Sequence, residues 1–122
     1  MSVELSVVIC SLNGAVGVDR CCLHALEAQT ISCCLEMAEV DDGSADRTSD
    51  IARAHGVDPI RHPVNRGLSS ARNSGVRRAS ASVVAFLDHY CEPKPDWAER
   101  LRVGYDDKLV PEASNSTGKG VG

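Results

Sequence analysis

A largely apolar run near the start of the chain, residues 5–10 (LSVVIC), constrains the fold most; three of its six residues are β-branched. It lacks the alternation of a half-exposed strand and is typical of a strand buried on both faces of a parallel sheet. Residues 35–40 and 82–87 (SVVAFL) predict two further strands. Amphipathic segments separate these runs, and that alternation of strand and helix indicates an α/β protein.

The segments between the strands predict four helices. Apolar residues recur at helical spacing over residues 17–29 and 68–79, and Ser44 or Asp46 caps a helix that ends at Gly56. A last helix begins near Asp96. Residues 57–61 predict a strand at a sheet edge, because Pro59 cannot donate to a ladder.

The predicted fold is a Rossmann-like, three-layer α/β/α domain with a mostly parallel sheet of about four strands and four helices. The domain spans residues 1–107. Residues 108–122 are rich in Ser, Gly and Asn without periodicity, which predicts a flexible tail.

Composition narrows the function. A chain of 122 residues with a net charge of −4 and arginines dispersed among acids is not expected to bind nucleic acid. The N-terminal apolar run is too short to span a bilayer and follows Glu4, with no Lys or Arg before it. We therefore expect a cytoplasmic protein without a transmembrane segment, and association with a membrane surface stays open.

The six cysteines invite a disulfide or zinc interpretation, which their spacing does not favour. Cys21 and Cys22 are adjacent, as are Cys33 and Cys34, and neither pair has the C-x₂-C spacing of a zinc knuckle. Thiols, buried or partly exposed, are the prediction for all six.

Polar side chains follow three of the predicted strands where each strand ends. Open parallel sheets bind ligands at the carboxyl ends of their strands, and right-handed crossovers would bring the first and last strands together. One pocket is therefore predicted to collect residues from all three strand ends: Ser11, Asn13, Asp41, Asp42 and Asp88.

Four blocks of the sequence occur in a recognisable order: SVVICSLN at 6–13, VDDGSADRT at 40–48, NRGLSSARNSG at 65–75, and VVAFLDHYCEPKPDW at 83–97. Together they resemble the family 2 glycosyltransferases, which have the GT-A fold. In that family the second acid of the DDGS block hydrogen-bonds the nucleobase. The resemblance therefore implies this role for Asp42, with Asp41 beside it.

The resemblance implies further nucleotide contacts. Ser11 keeps the hydroxyl that the family presents after the first strand, whereas Leu12 replaces an aromatic ring that contacts the base. Arg72 matches the arginine of the family's ARN motif, which approaches the nucleotide.

The family's D-x-D motif, which binds Mg²⁺ or Mn²⁺, is only half present. Asp88 matches its first acid, and Tyr90 stands where the second acid would be. A phenol with a pKa of about 10 is a poor metal ligand at neutral pH. Asp88 is thus the one predicted metal ligand, His89 is a further candidate, and a divalent metal cofactor is expected from the family rather than from these residues.

The implied reaction transfers a sugar from a nucleoside diphosphate sugar, UDP-type foremost, to an acceptor hydroxyl with inversion. The catalytic base stays unknown, since the family places it in a second half beyond the D-x-D region. Two alternatives stay open: a nucleotide-binding module without catalysis, and a truncated relic that self-associates. A homodimer or a completing chain is accordingly a candidate partner.

Overall fold

The computed structural model describes residues 5–17, 22–30, 35–101 and 120–121. Within these ranges the chain forms a wholly parallel sheet in the order β3-β2-β1-β4-β5. The strands are β1 Leu5–Ser11, β2 Leu35–Asp41, β3 Ile60–Arg61, β4 Val84–Asp88 and β5 Gly120–Val121. The helices are α1 Ala15–Gly17, α2 His24–Glu27, α3 Thr48–Ala54, α4 Leu68–Arg78, and α5 at 97–101. The predicted α/β class and parallel sheet are confirmed.

Strand β1 lies between β2 and β4, as its largely apolar sequence predicts. Val7, Val8 and Ile9 are completely buried. Val7 and Ile9 join the core on the face that carries Leu23 and Leu26, and Val8 joins Val40, Phe86 and Ala71 on the other face. A strand with two apolar faces has no polar side to give to water, and it therefore occupies the middle of the sheet.

Helix α4 covers the second face at very short range. A Cβ atom placed on Gly75 would lie 2.2 Å from Cγ1 of Val8. Only a residue without a side chain allows the helix to approach the central strand this closely. The predicted boundaries, 68–79, agree with the observed helix to within one residue.

The region of the first predicted helix, 17–29, is described only in part. The described part of this region is helical at 15–17 and again from Cys22 to Glu27, and residues 18–21 lie outside the described ranges. Gln29 lies beyond the end of α2 and joins this part of the chain to α5 and the segment before it. Its side-chain Nε2 donates to the Lys94 carbonyl oxygen at 2.7 Å, and its Oε1 accepts from the Ala98 N–H at 2.9 Å.

The two sheet edges complete the fold. Strand β3 lies at one edge, as Pro59 predicts, although it has only two residues. Gly120–Val121 pairs with β4 at the other edge, so that these two residues of the predicted tail belong to the sheet; 108–119 and 122 lie outside the described residues. No helix among the described residues has the length and apolar character needed to cross a bilayer.

Candidate functional site

The carboxyl ends of β1, β2 and β4 meet at one edge of the sheet. Ser11 lies in register with Asp41, and Cys10 with Asp88. A cleft of about 310 Å³ opens at this edge. Its lining comprises the residues Cys10, Ser11, Leu12, Asp42, Asn65, Gly67, Leu68, Ala71, Asp88, His89 and Tyr90. The predicted pocket thus exists, and Ser11, Asp42 and Asp88 line it.

Asp42 organises one wall of the cleft. Its Oδ1 accepts hydrogen bonds from the Arg66 N–H at 2.9 Å and from Nδ1 of His62 at 2.7 Å, and its Oδ2 accepts from the Gly67 N–H at 2.9 Å. Burial raises the pKa of the Asp42 carboxyl, but the hydrogen bonds from Arg66, His62 and Gly67 outweigh it and hold the pKa below its usual range. Asp42 is therefore an ionised acceptor that shapes the loop at 62–67.

Asp41 points to the opposite face of the sheet. It is completely buried, and its carboxylate accepts from the Ser44 N–H at 2.9 Å, the Ser49 hydroxyl at 2.6 Å and the Arg61 guanidinium at 2.8 Å. Burial raises its pKa, but these partners together lower it. Asp41 closes the turn before α3 and does not line the cleft.

Ser11 has a partner that the sequence did not predict. Its hydroxyl donates to the carboxyl group of Glu39, which lies on β2 and is completely buried. Oε1 of Glu39 is buried without a hydrogen-bond partner among the described residues. Burial raises the pKa of Glu39 to about 8, so this side chain is largely neutral at pH 7.

Two predicted contacts, Asn13 and Arg72, lie outside the cleft lining. Asn13 has a positive φ of 53°, and its Oδ1 accepts from the Ala45 N–H at 2.8 Å, which fastens the loop after β1 to the DDGS turn. The Arg72 guanidinium lies over the Phe86 ring, 5.4 Å from its centroid. Both residues support the cleft walls in this structure.

The segment after β4 closes the other side of the cleft. The nearby Asp88 carboxylate raises the pKa of Tyr90. The His89 ring meets Tyr90 edge-on at 5.3 Å and packs against Gly14, where a Cβ atom would lie 2.4 Å from its Cδ2. Leu12, Leu68 and Tyr90 are exposed by 40%, 51% and 65%, which gives the cleft an apolar rim.

These donors do not make a metal site by themselves. Among the described residues no three His, Cys, Asp or Glu side chains lie close enough together to hold an ion. Asp88 is the carboxylate at the predicted position, and Tyr90 lies near it. The described residues therefore do not form a complete Mg²⁺ or Mn²⁺ site of their own, whereas Asp88 could contribute one ligand beside the phosphates of a bound nucleotide.

Cys10 lines the cleft but is not a nucleophile. Burial raises the pKa of its thiol to about 12, and the thiolate is the reactive form. Cys10, Cys22 and Cys91 form no disulfide, in agreement with the prediction of thiols; the other cysteines lie outside the described residues.

Sequence reasoning missed His62 and Ser74. His62 is 4% exposed and Ser74 9%, and the two are joined by a 2.9 Å contact between His62 Nε2 and Ser74 Oγ. His62 directly follows β3, so the rule that ligand-site residues follow parallel strands would have found it. Glu39 left a signal too, as an acid inside a strand next to the central one.

The fold and the cleft define an α/β protein whose ligand site lies at the carboxyl edge of a parallel sheet. The profile of Glycosyl transferase family 2 matches residues 6–107. The chain therefore belongs to glycosyltransferase family 2.

Relatives and solved structures agree with this assignment. The chain is 34% identical over 102 residues to glycosyltransferase AglE of Haloferax volcanii, covering 79% of this chain and 33% of that protein. It is 38% identical over 103 residues to the uncharacterized glycosyltransferase YibD of Escherichia coli, covering 80% and 29%. The chain thus spans about a third of the length of these relatives.

Two crystal structures establish the likeness of fold to GT-A enzymes. TarS 1–349 of S. aureus in complex with UDP-GlcNAc has a TM-score of 0.80 and 20% identity, covering 98% of this chain and 37% of that chain. The mannosyltransferase PcManGT from Pyrobaculum calidifontis, in complex with GDP-Man and Mn²⁺, has a TM-score of 0.80 and 22% identity, covering 88% and 33%. At these identities the likeness concerns the fold alone.

Proposed function

We propose that the chain binds the donor of a glycosyl transfer, a UDP-type nucleoside diphosphate sugar, in the cleft at the carboxyl edge of the sheet. The observation that carries the proposal is the ionised Asp42 carboxylate in the cleft wall. The family names the reaction as sugar transfer, and the donors in the TarS and PcManGT complexes belong to this chemical class.

The hydrogen bonds of Asp42 favour a uracil base. An ionised carboxylate has about four acceptor positions and no donor. His62 and Arg66 occupy two on Oδ1, and Gly67 occupies one on Oδ2. One acceptor position then stays open for a ligand, which suits the single imide N–H of uracil. Cytosine presents a lone pair at the same ring position and would be repelled.

We propose that residues of the cleft lining hold the donor during the transfer. Ser11 contributes to the cleft lining, and Leu12 and Leu68 supply apolar surface for the base. We propose inversion at the sugar carbon, as in the family. The acceptor and the base that deprotonates it are left unassigned, since the chain spans about a third of its relatives.

Two outcomes decide the proposal. Calorimetric titration should give binding of UDP and of UDP-sugars, with CDP at least about tenfold weaker. Asp42→Asn should weaken UDP about 10- to 100-fold, because a hydrogen bond to a charged acceptor contributes roughly 1.5–3 kcal/mol.

Asp50→Asn is the matched control, since Asp50 is an exposed carboxylate on α3 away from the cleft. Equal affinity for UDP and CDP would sink the uracil assignment. Absence of heat with every nucleoside diphosphate at millimolar concentration would sink the proposal as a whole.

A further inference from the structure

Three side chains form a hydrogen-bonded row that leads from α4 to the cleft. Oγ of Ser74 lies 2.9 Å from Nε2 of His62, and Nδ1 of His62 lies 2.7 Å from Oδ1 of Asp42. His62 and Asp42 are 4% and 5% exposed. The row therefore lies almost entirely inside the protein, and only its Asp42 end lines the cleft.

The row resembles a hydrolase triad in residue type but not in placement. In a hydrolase the serine hydroxyl must reach the substrate. Ser74 is 9% exposed, is absent from the cleft lining, and accepts a further hydrogen bond from Arg77 Nη2 at 3.3 Å. The reactive end of a triad would thus face the interior, so a different role is required.

The direction of donation along the row follows from its last member. Asp42 is ionised and can only accept, so the proton of the contact must sit on Nδ1 of His62. In the neutral ring Nε2 is then an acceptor, and the Ser74 hydroxyl donates to it. Ser74 in turn accepts from Arg77. When the ring is neutral, each group has one direction to donate, and these contacts fix the tautomer and orientation of the ring.

We propose that His62 is a positioning residue for the donor nucleotide: it holds the Asp42 carboxylate so that one acceptor position faces the cleft. The inference rests on the proposed function of the cleft. Without the bond from Nδ1, Oδ1 has a vacant acceptor position and the carboxylate can rotate about its last bond. The cleft then offers more than one acceptor arrangement, and discrimination between uracil and cytosine falls.

The test measures the ratio of UDP to CDP affinity in three variants of the full chain. His62→Phe removes both ring nitrogens at nearly the same size and should lower the ratio about tenfold. His62→Asn keeps an N–H near the position of Nδ1 and should restore the ratio to within about threefold. Ser74→Ala removes the contact that orients the ring through Nε2 and should give an intermediate loss.

The ratio separates positioning from general damage to the fold. Loss of folded protein lowers the apparent affinities for UDP and CDP equally and leaves their ratio unchanged. His24→Phe, on the exposed surface of α2, is the matched control and should leave both affinities unchanged. If His62→Phe does not fold, Ser74→Ala carries the measurement.

A second measurement needs no nucleotide. Long-range ¹H–¹⁵N correlation spectra should place the His62 proton on Nδ1, the nitrogen that donates to Asp42. A proton on Nε2, or an unchanged UDP to CDP ratio in folded His62→Phe, overturns the inference alone. Failure of the unaltered chain to bind UDP overturns the proposed function, and the nucleotide role of His62 with it.

Discussion

At the scale of single residues, the buried Glu39 side chain is costly to ionise. It occupies a position between buried neighbours on β2, with one oxygen against Ser11 and the other unpartnered among the described residues. A buried carboxyl keeps its proton because its charged form would lose hydration without compensation.

We expect Glu39→Gln to stabilise the protein at neutral pH and above. The folded pKa of about 8 exceeds the ordinary value of 4.5, so between these values the folded state binds more protons than the unfolded state. The free energy of unfolding therefore falls as pH rises through this range, by several kcal/mol at about 1.4 kcal/mol per pKa unit. Glutamine does not titrate and removes this slope.

Urea unfolding of the two proteins at a series of pH values measures the effect. The difference should be near zero at pH 4.5 and reach roughly 2–4 kcal/mol at pH 8. A difference that does not change with pH would contradict the assignment of a neutral Glu39.

Tyr90 determines, in our interpretation, how nucleotide binding responds to a metal. Tyr90 lies near Asp88 and stands where the family's second acid would be. In the unaltered chain Mn²⁺ should change UDP affinity less than about threefold. Tyr90→Asp adds a hard oxygen ligand next to Asp88, and Mn²⁺ should then raise UDP affinity about tenfold or more.

Tyr90→Phe is the control for this change, because it removes the hydroxyl without supplying a carboxylate. Calorimetry with and without Mn²⁺ compares the three proteins. A gain in affinity with Mn²⁺ that is as large in the unaltered chain as in Tyr90→Asp would contradict the prediction.

At the scale of the elements, the contact between α4 and β1 sets the spacing of the whole second layer. From intrinsic helix propensity, Gly75→Ala should stabilise α4 by roughly 1 kcal/mol. However, the new Cβ would lie 2.2 Å from Cγ1 of Val8, and overpacking of this kind destabilises a protein by about 1–3 kcal/mol. We expect packing to dominate and the variant to be less stable.

Urea unfolding tests this with a double variant. Val8→Ala loses core surface alone, but combined with Gly75→Ala it should recover part of the stability, because the alanine methyl group fills the space left by valine. Ser69→Ala, at an exposed position of the same helix, should change stability by less than about 0.5 kcal/mol. Additive losses in the double variant would exclude the proposed clash.

The elements also show what the sequence could predict. Residues 5–10 predicted the central strand, because two apolar faces can be buried only in the middle of a sheet. Pro59 predicted the edge strand, because it cannot donate to a ladder. The end of α2 at Glu27, before the predicted end at Gln29, had no such signal, because the geometry there is set by contacts with distant parts of the chain, such as those of Gln29 with Lys94 and Ala98.

At the scale of the whole molecule, stability should peak at mildly acidic pH. Burial opposes ionisation of Glu36, Asp41, Asp42 and Asp46, yet their hydrogen bonds outweigh it and lower each pKa. Stability from such groups is present above their unfolded pKa values and is lost as pH falls through the folded ones. Glu39 acts in the other direction as pH rises toward 8.

The two trends together place the maximum free energy of unfolding at about pH 5. Chemical unfolding at half-unit steps from pH 3 to 9 locates it. In Glu39→Gln the maximum should broaden toward neutral pH. A maximum at pH 7 or above in the unaltered chain would contradict the combined effect of these pKa shifts.

The sequence predicted the location of the candidate site better than it predicted the contacts of each residue there. Strand ends and the four sequence blocks brought Ser11, Asp42 and Asp88 to one cleft. That Asp41 would turn away follows from the two-residue period of a strand, but only once the face that bears the cleft is known. The row from Ser74 through His62 depends on residues distant in the chain, and spacing alone gave no sign of it.

Asp41 and Asp42 at the end of β2 are chemically identical, but their side chains make different contacts. A shift of the strand by one residue would carry Asp42 to Ser49 and Arg61 and would send Asp41 to the loop at 62–67, while moving Glu39 to the opposite core. Loss of either acid should accordingly be recognisable by its symptom: Asp41→Asn as a protein that melts early but recognises its nucleotide, and Asp42→Asn as one that folds and fails to recognise it. We thus expect the two adjacent aspartates to have separate roles: Asp41 in the stability of the fold, and Asp42 in recognition of the nucleotide.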